Sequence, residues 1–146
     1  MIYTKMTKKA LRIAYDAHKE QVDKAGIPYI FHPFHLAEQM ETEDEVIVAL
    51  LHDVVEDTGI TLEDLYEHGF SKNVLDAISL LTHNDGSEYM DYIQKIKPNQ
   101  LAKKIKLADL RHNSDRARVD FPDNVNERMS SRWEKYENAI KYLENK

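Results

Sequence analysis

Four ionisable side chains interrupt an otherwise Leu- and Val-rich stretch at 50–59, LLHDVVEDTG. His52, Asp53, Glu56 and Asp57 make a physical demand there, because an unpaired charge in apolar surroundings costs several kcal/mol or is neutralised. On a helix turning about 100° per residue these four share one arc. Ile47, Val48, Leu51, Val54 and Val55 fall on the other side and face the core. Ala49 lies inside the polar arc and leaves room above His52. The helix, read as running to Val55, is a wall between core and pocket.

A second inward acid is Asp109, which on one continuous helix shares its face with Ala102, Ile105, Asn113 and Arg116. Several inward acids beside imidazoles are most simply satisfied by a divalent cation. His52 and Asp53 diverge by about 100°, which suits neighbouring positions on one ion. His32 and Asp109 complete a set of two imidazoles and two carboxylates.

The elements that must position these groups read as all-α. Only four Gly and four Pro occur, and apolar residues recur three and four apart along most of the chain. Met6, Ala10, Ile13, Ala14 and Ala17 form the buried stripe of a first helix, and AGIPYIFHP is a connector. Pro33 sits in the first turn of a second helix, predicted over 33 to 41, with His32 at its mouth. Acidic ETEDE favours the start of the next helix, capped by Thr42 or Asp44. Thr61 and Asp64 resemble a capping box, Gly69 a stop and Ser71 a further cap, and Asn84-Asp85-Gly86 reads as a turn. Helices are then predicted over 89–96, from Pro98 to Val119, and from Asn124 to Leu143, where Trp133, Tyr136, Ile140 and Leu143 form a stripe for the core or a dimer surface. The total is seven to eight helices.

The 146 residues suit one domain, 1–146, with a substantial core. The absence of Cys excludes disulfides, thiol nucleophiles and thiolate metal sites, and suits a reducing cytoplasm. The first residues lack the apolar core of a signal peptide, and VIVALL is too short to cross a bilayer, so a soluble protein with no membrane partner is expected. A net charge of −6 argues against a nucleic-acid partner. The KKIK run at 103–106 reads as a solvated helix face.

In order along the chain, AYDAHKEQ, GIPYIFHP, ALLHDVVEDTGIT, LLTH and KLADLRHN resemble the HD-domain phosphohydrolases, and among them the (p)ppGpp hydrolase domain of RelA/SpoT-type proteins and the small alarmone hydrolases. The resemblance covers about the first 115 residues. It implies a single-domain HD helical bundle in which His32, His52, Asp53 and Asp109 hold a divalent metal, usually Mn²⁺, Glu56 and Asp57 handle water and protons, and Asn113 contacts a nucleotide substrate. The implied reaction removes the 3′-pyrophosphate and leaves GDP or GTP, with no room in these residues for the synthetase and regulatory domains of longer relatives. Four protein donors leave about two positions open on an octahedral ion. Glu56, one turn from His52, is placed to take a proton from water, while Asp57 orients that water or protonates the leaving oxygen.

Where relatives place an Arg before the GxPY segment, this chain has Asp23, followed by Lys24, which is expected to reach a phosphate. Tyr29 either stacks on base or ribose or packs as an aromatic, and Arg116 either clamps a phosphate or forms a structural ion pair. His35 reads as supporting or surface, His18 as near the pocket without clear chemistry, and His68 as a helix-end residue; His83 and His112 have no acidic companion at ligand spacing. Two other functions compete: an HD-type nucleotidase acting on phosphomonoesters, which Asp23 favours, and a nucleotide-binding module with a structural metal, against which Glu56 and Asp57 speak.

Overall fold

A computed structural model describes residues 1–119 and 126–145. The elements are α1 Lys5–His18, α2 Phe31–Glu38, α3 Glu43–Leu51, α4 Val54–Asp57, α5 Leu62–Glu67, α6 Lys72–Leu81, α7 Tyr89–Ile96, α8 Gln100–Asn113, a 3-10 turn Arg116–Arg118 and α9 Glu127–Glu144. Among the described residues there is no strand, only an isolated antiparallel bridge between Val22 and Pro28. The all-α expectation is borne out. No helix of the described residues is long and apolar enough to cross a membrane.

Local signals set most boundaries. Thr42 caps α3 by accepting from the Glu45 N–H at 3.2 Å, Thr61 and Asp64 form the capping box of α5, and Ser71 caps α6. Gly69, at φ +93°, supplies the left-handed residue that ends α5. The expected start of the second helix shifts two residues earlier, so that His32 lies inside the first turn of α2. Asn126 caps α9 through the Met129 N–H at 2.9 Å; Asn124, the expected start of that helix, lies outside the described residues.

Two expected helices are shorter than their patterns suggest. The helix read through to Val55 stops at Leu51, and Asp53, at φ −103° and ψ −3°, begins the separate turn α4. An uninterrupted helix would offer the Ala49 carbonyl to the Asp53 N–H; that carbonyl instead accepts His52 Nδ1–H at 2.7 Å. Among the described residues this split adds the four-residue turn α4 to the expected seven to eight helices. The helix read through to Val119 likewise ends at Asn113, after which the Asp115 carboxylate accepts the Ala117 N–H at 3.0 Å and starts the 3-10 turn.

Val46 through Leu51 are all buried, Ala49 included, so α3 is a central helix rather than a one-sided wall. It packs against α1, α2, α6 and α8, while α9 lies over α7 and α8. The site is therefore not on a face of α3 but at its C-terminal end, where the buried helix stops.

Candidate functional site

His32 comes from the first turn of α2, His52 and Asp53 from the break after α3, and Asp109 from the middle of α8. Each is buried except Asp53, which is partly open. Their donor atoms all lie within 4.8 Å of one another. Asp109 Oδ1 is 2.8 Å from His32 Nε2 and 3.5 Å from His52 Nε2, while Asp53 Oδ2 is 3.0 Å from His52 Nε2 and 4.0 Å from His32 Nε2. An octahedral ion with bonds of about 2.1 Å spaces neighbouring donors about 3 Å and opposing donors about 4 Å apart. The four residues fit a divalent cation.

Protonation points the same way. A carbonyl only accepts, so His52 Nδ1 carries the proton it gives to Ala49, and neutral His52 turns the lone pair of Nε2 toward Asp53 and Asp109. That buried nitrogen has no well-directed hydrogen-bond partner. Lone pair and carboxylates together require positive charge, as a second imidazole proton or as a cation. Burial would lower the His52 pKa, but the Asp53 and Asp109 carboxylates override it and raise it well above 6.5. Burial would likewise raise Asp53, yet the His52 charge brings it down to about 2. Asp109 lies well below the usual carboxylate range against its burial, through Lys106 first and then the two imidazoles.

Lys106 is the residue the charge-run reading placed in solvent and the structure places inside. Its ammonium donates to Asp109 Oδ2 at 2.9 Å, its side chain is 12 % exposed, and the Tyr92 and Tyr89 rings face it at 5.1 and 5.9 Å. Tyr29 does more than pack: its hydroxyl donates to Asp53 Oδ2, and burial beside that carboxylate keeps it protonated. The Asn113 amide donates to Asp109 Oδ1 at 3.1 Å. His112 Nδ1 stands 2.7 Å from His32 Nδ1, and burial next to Arg118 holds the His112 pKa down at about 4. His18, fully enclosed, pairs through Nδ1 with Gln21 Oε1 at 2.8 Å, and Gln21 in turn donates to the Asp57 carbonyl at 3.2 Å.

Glu56 and Asp57 project from α4 at the mouth of the cluster. Glu56 accepts the His83 backbone N–H at 2.5 Å, but partial enclosure prevails and raises its pKa above 4.5. Enclosure and the Asp53 charge raise Asp57 above 3.8. The two acids share with Asp109, Lys106 and Lys135 a cavity of about 210 Å³. A second cavity of about 400 Å³ adjoins it, with Tyr29, Asn113 and Tyr136 lining both.

Lys24 lines the larger cavity, together with Arg118, Arg132 and Trp133. Arg116 lines neither. With α8 ending early it leaves the Asp109 face, and its guanidinium lies over Trp133 at 4.6 Å and 3.9 Å from Glu137, with 61 % of the side chain exposed. Asp23 is absorbed locally: Oδ1 accepts the N–H groups of Ala25 and Ile27 at 2.8 and 3.0 Å, closing the loop around Gly26 at φ +80°, and Oδ2 lies 3.5 Å from Arg118. Sequence reasoning missed Lys106, His112, Arg118, Arg132 and Lys135. For the first two a signal existed, since each lies three residues from Asp109 on one helix.

The SpoT bifunctional (p)ppGpp synthase/hydrolase of Escherichia coli (strain K12) is 36% identical over 91 residues, 60% of this chain and 13% of that protein. The guanosine-3′,5′-bis(diphosphate) 3′-pyrophosphohydrolase of Haemophilus influenzae is 37% identical over 117 residues, 69% of this chain and 17% of its own. A probable GTP pyrophosphokinase of Mycobacterium leprae is 34% identical over 122 residues, 74% and 15% respectively. The chain thus spans less than a fifth of the length of these relatives. A solved structure of a metazoan ortholog of SpoT, reported to hydrolyse ppGpp, shares the fold with a TM-score of 0.78 and 24% identity over 99% of this chain and 89% of its own. Residues 10–114 match the HD domain, and the chain belongs to that family.

Proposed function

We propose that residues 1–146 act as one metal-dependent hydrolase domain that removes the 3′-diphosphate from guanosine-3′,5′-bis(diphosphate)-type nucleotides. The observation that carries this reading is that two acids with raised pKa values, Glu56 and Asp57, share a lysine-lined cavity with Asp53 and Asp109, the two carboxylates of the four-donor cluster. The names of the similar relatives supply the substrate.

His32, His52, Asp53 and Asp109 would hold the ion, and Mn²⁺ is the one proposed, in keeping with a mixed imidazole and carboxylate set. When bound, such an ion supplies Lewis-acid polarisation of a phosphoryl oxygen and makes water more acidic. Glu56 and Asp57 move protons between them: one accepts from the attacking water and the other protonates the departing O3′ as the phosphorus–oxygen bond breaks. The His83 N–H keeps Glu56 oriented. Lys106 and Lys135 face the anionic oxygens in the smaller cavity, and Lys24 and Arg132 receive the second diphosphate in the larger one. Tyr29 and Asn113 serve recognition and also support the cluster through Asp53 and Asp109. A cytoplasmic setting fits a chain without cysteine.

The nucleotidase alternative is kept by Asp23, an acid where relatives place an Arg that helps hold the guanine nucleotide. Its two loop N–H partners and Arg118 engage that carboxylate, which supports the first reading. The test is a panel of guanine, adenine and nicotinamide nucleotides assayed with Mn²⁺ for pyrophosphate and for phosphate. Pyrophosphate from a 3′-diphosphate is the expected product; exclusive release of phosphate from monoesters would overturn the proposal.

A further inference from the structure

A histidine that holds a metal through Nε2 must keep its proton on Nδ1, and it does so when something beyond the ring accepts that proton. His52 meets this condition through the Ala49 carbonyl. For His32 the atom facing Nδ1 is neither a carbonyl nor a carboxylate but the Nδ1 of a second imidazole, His112, at 2.7 Å. The two rings are within 6° of parallel and their centroids are 4.9 Å apart. That separation is the nitrogen–nitrogen distance plus one ring radius on each side, so the rings lie edge to edge in nearly one plane. A hydrogen bond along the lone-pair direction has this geometry; face-to-face stacking does not.

His112 is itself held on three sides. Its ring packs on His35 at 4.2 Å between centroids, its carbonyl accepts Arg118 at 2.9 Å, and it rides on α8 three residues after the candidate ligand Asp109. One helix thus delivers a donor to the cluster and a brace to a second donor on α2. An imidazole suits this place for a specific reason. It can accept from His32 Nδ1–H, and it can donate if the His32 proton moves to Nε2 and faces Asp109 at 2.8 Å. The pair is hydrogen-bonded in either arrangement, and the loaded one requires His112 to accept.

We infer that His112 is a positioning residue for the cation site, which as a hydrogen-bond acceptor fixes the tautomer and ring plane of His32. The inference rests on the metal-centre reading above and touches neither substrate nor reaction. Two variants separate hydrogen bonding from packing: His112→Phe keeps a ring and removes the acceptor, whereas His112→Asn loses the ring and keeps an acceptor oxygen close to Nδ1. The measurement is the Kd for Mn²⁺ alone by calorimetry, on protein first stripped with chelator, with a thermal melt of each stripped protein confirming the fold. His112→Phe is expected to weaken Mn²⁺ binding by about 10- to 100-fold and His112→Asn by less than about three-fold. The inference is overturned if His112→Phe binds as tightly as the parent, or if His112→Asn is as weak as His112→Phe. A parent that takes up no Mn²⁺ at millimolar ion would instead remove the metal centre, and the inference with it.

Discussion

Replacing Lys106 by Met removes one ammonium while keeping an unbranched stem of similar length against Tyr89 and Tyr92. The lost contact is the 2.9 Å bond to Asp109 Oδ2, in a place where the lysine is 12 % and the carboxylate 7 % exposed. Breaking a buried ion pair from one side costs about 3–5 kcal/mol. The lower end applies, because Asp109 Oδ1 still faces His32 and accepts from Asn113. At about 3 °C per kcal/mol for a chain of this size, the metal-free protein should melt about 10 °C lower. Asp109→Asn alone strands Lys106 and should destabilise by a similar amount, whereas the double variant has no uncompensated charge. We therefore expect a coupling of about 2 kcal/mol between the two sites in a thermal or urea double-mutant cycle. With Mn²⁺ saturating, Lys106→Met should also lose about 10²-fold in kcat, as when one preorganised donor to a developing oxyanion is removed. Additivity within about 0.5 kcal/mol would refute the pairing; turnover within about three-fold of the parent would refute the proposed contact with phosphate.

Glu56→Gln and Asp57→Asn should each keep bound Mn²⁺, read by elemental analysis, and lose at least about 10²-fold in turnover, whereas Asp53→Ala should lose both; full activity in the first two would cancel the division of labour. Tyr29→Phe removes a hydroxyl from Asp53 and should weaken Mn²⁺ by about ten-fold in the same titration, in line with other supporting partners of ligands. The carboxylate that accepts the proton must be ionised, and both candidates are raised, so the acidic limb of kcat at saturating metal is expected above pH 4.5 where Glu56 accepts and above pH 3.8 where Asp57 accepts, and a limb below pH 3.8 would contradict both. His112 has a folded pKa of about 4 against 6.5 when unfolded, so between these values the unfolded chain binds more protons; the stability this contributes is complete above pH 6.5 and is lost as pH falls toward 4. Urea melts across that window should show the slope in the metal-free parent and a flatter one in His112→Asn.

Signals carried by neighbouring residues were legible in the sequence. Thr42, Thr61 with Asp64, and Ser71 cap as read, and α7 has the predicted bounds. The four donors were found because each is an ionisable residue in an apolar context, and the structure gathers them. The break after Leu51 was not legible, since LLHDVVED contains neither Gly nor Pro; what interrupts the helix is a side chain taking over a backbone acceptor, a choice made by tertiary surroundings. Lys106 looked like one of three charges in KKIK, and only the fold of α7 and α9 over α8 turns it away from solvent. Arg116 was misplaced by extending α8 past Asn113, and once the helix stops it is Arg118 that reaches the larger cavity. Tyr136 was read as core or dimer surface, yet it is a wall shared by two cavities, contributed by a helix that the motif-bearing stretch does not include.

That last helix divides the labour of the molecule along the chain. All four candidate donors and both acids lie within residues 10–114, the stretch that matches the family, while Arg132, Trp133, Lys135 and Tyr136 enter from beyond it. Under the proposed function, substitutions in α9 would reshape which nucleotide is admitted and leave the ion-holding set untouched. Grafting α9 from a relative would be the direct way to ask whether the outer wall of the two cavities can be exchanged while the four candidate donors stay unchanged.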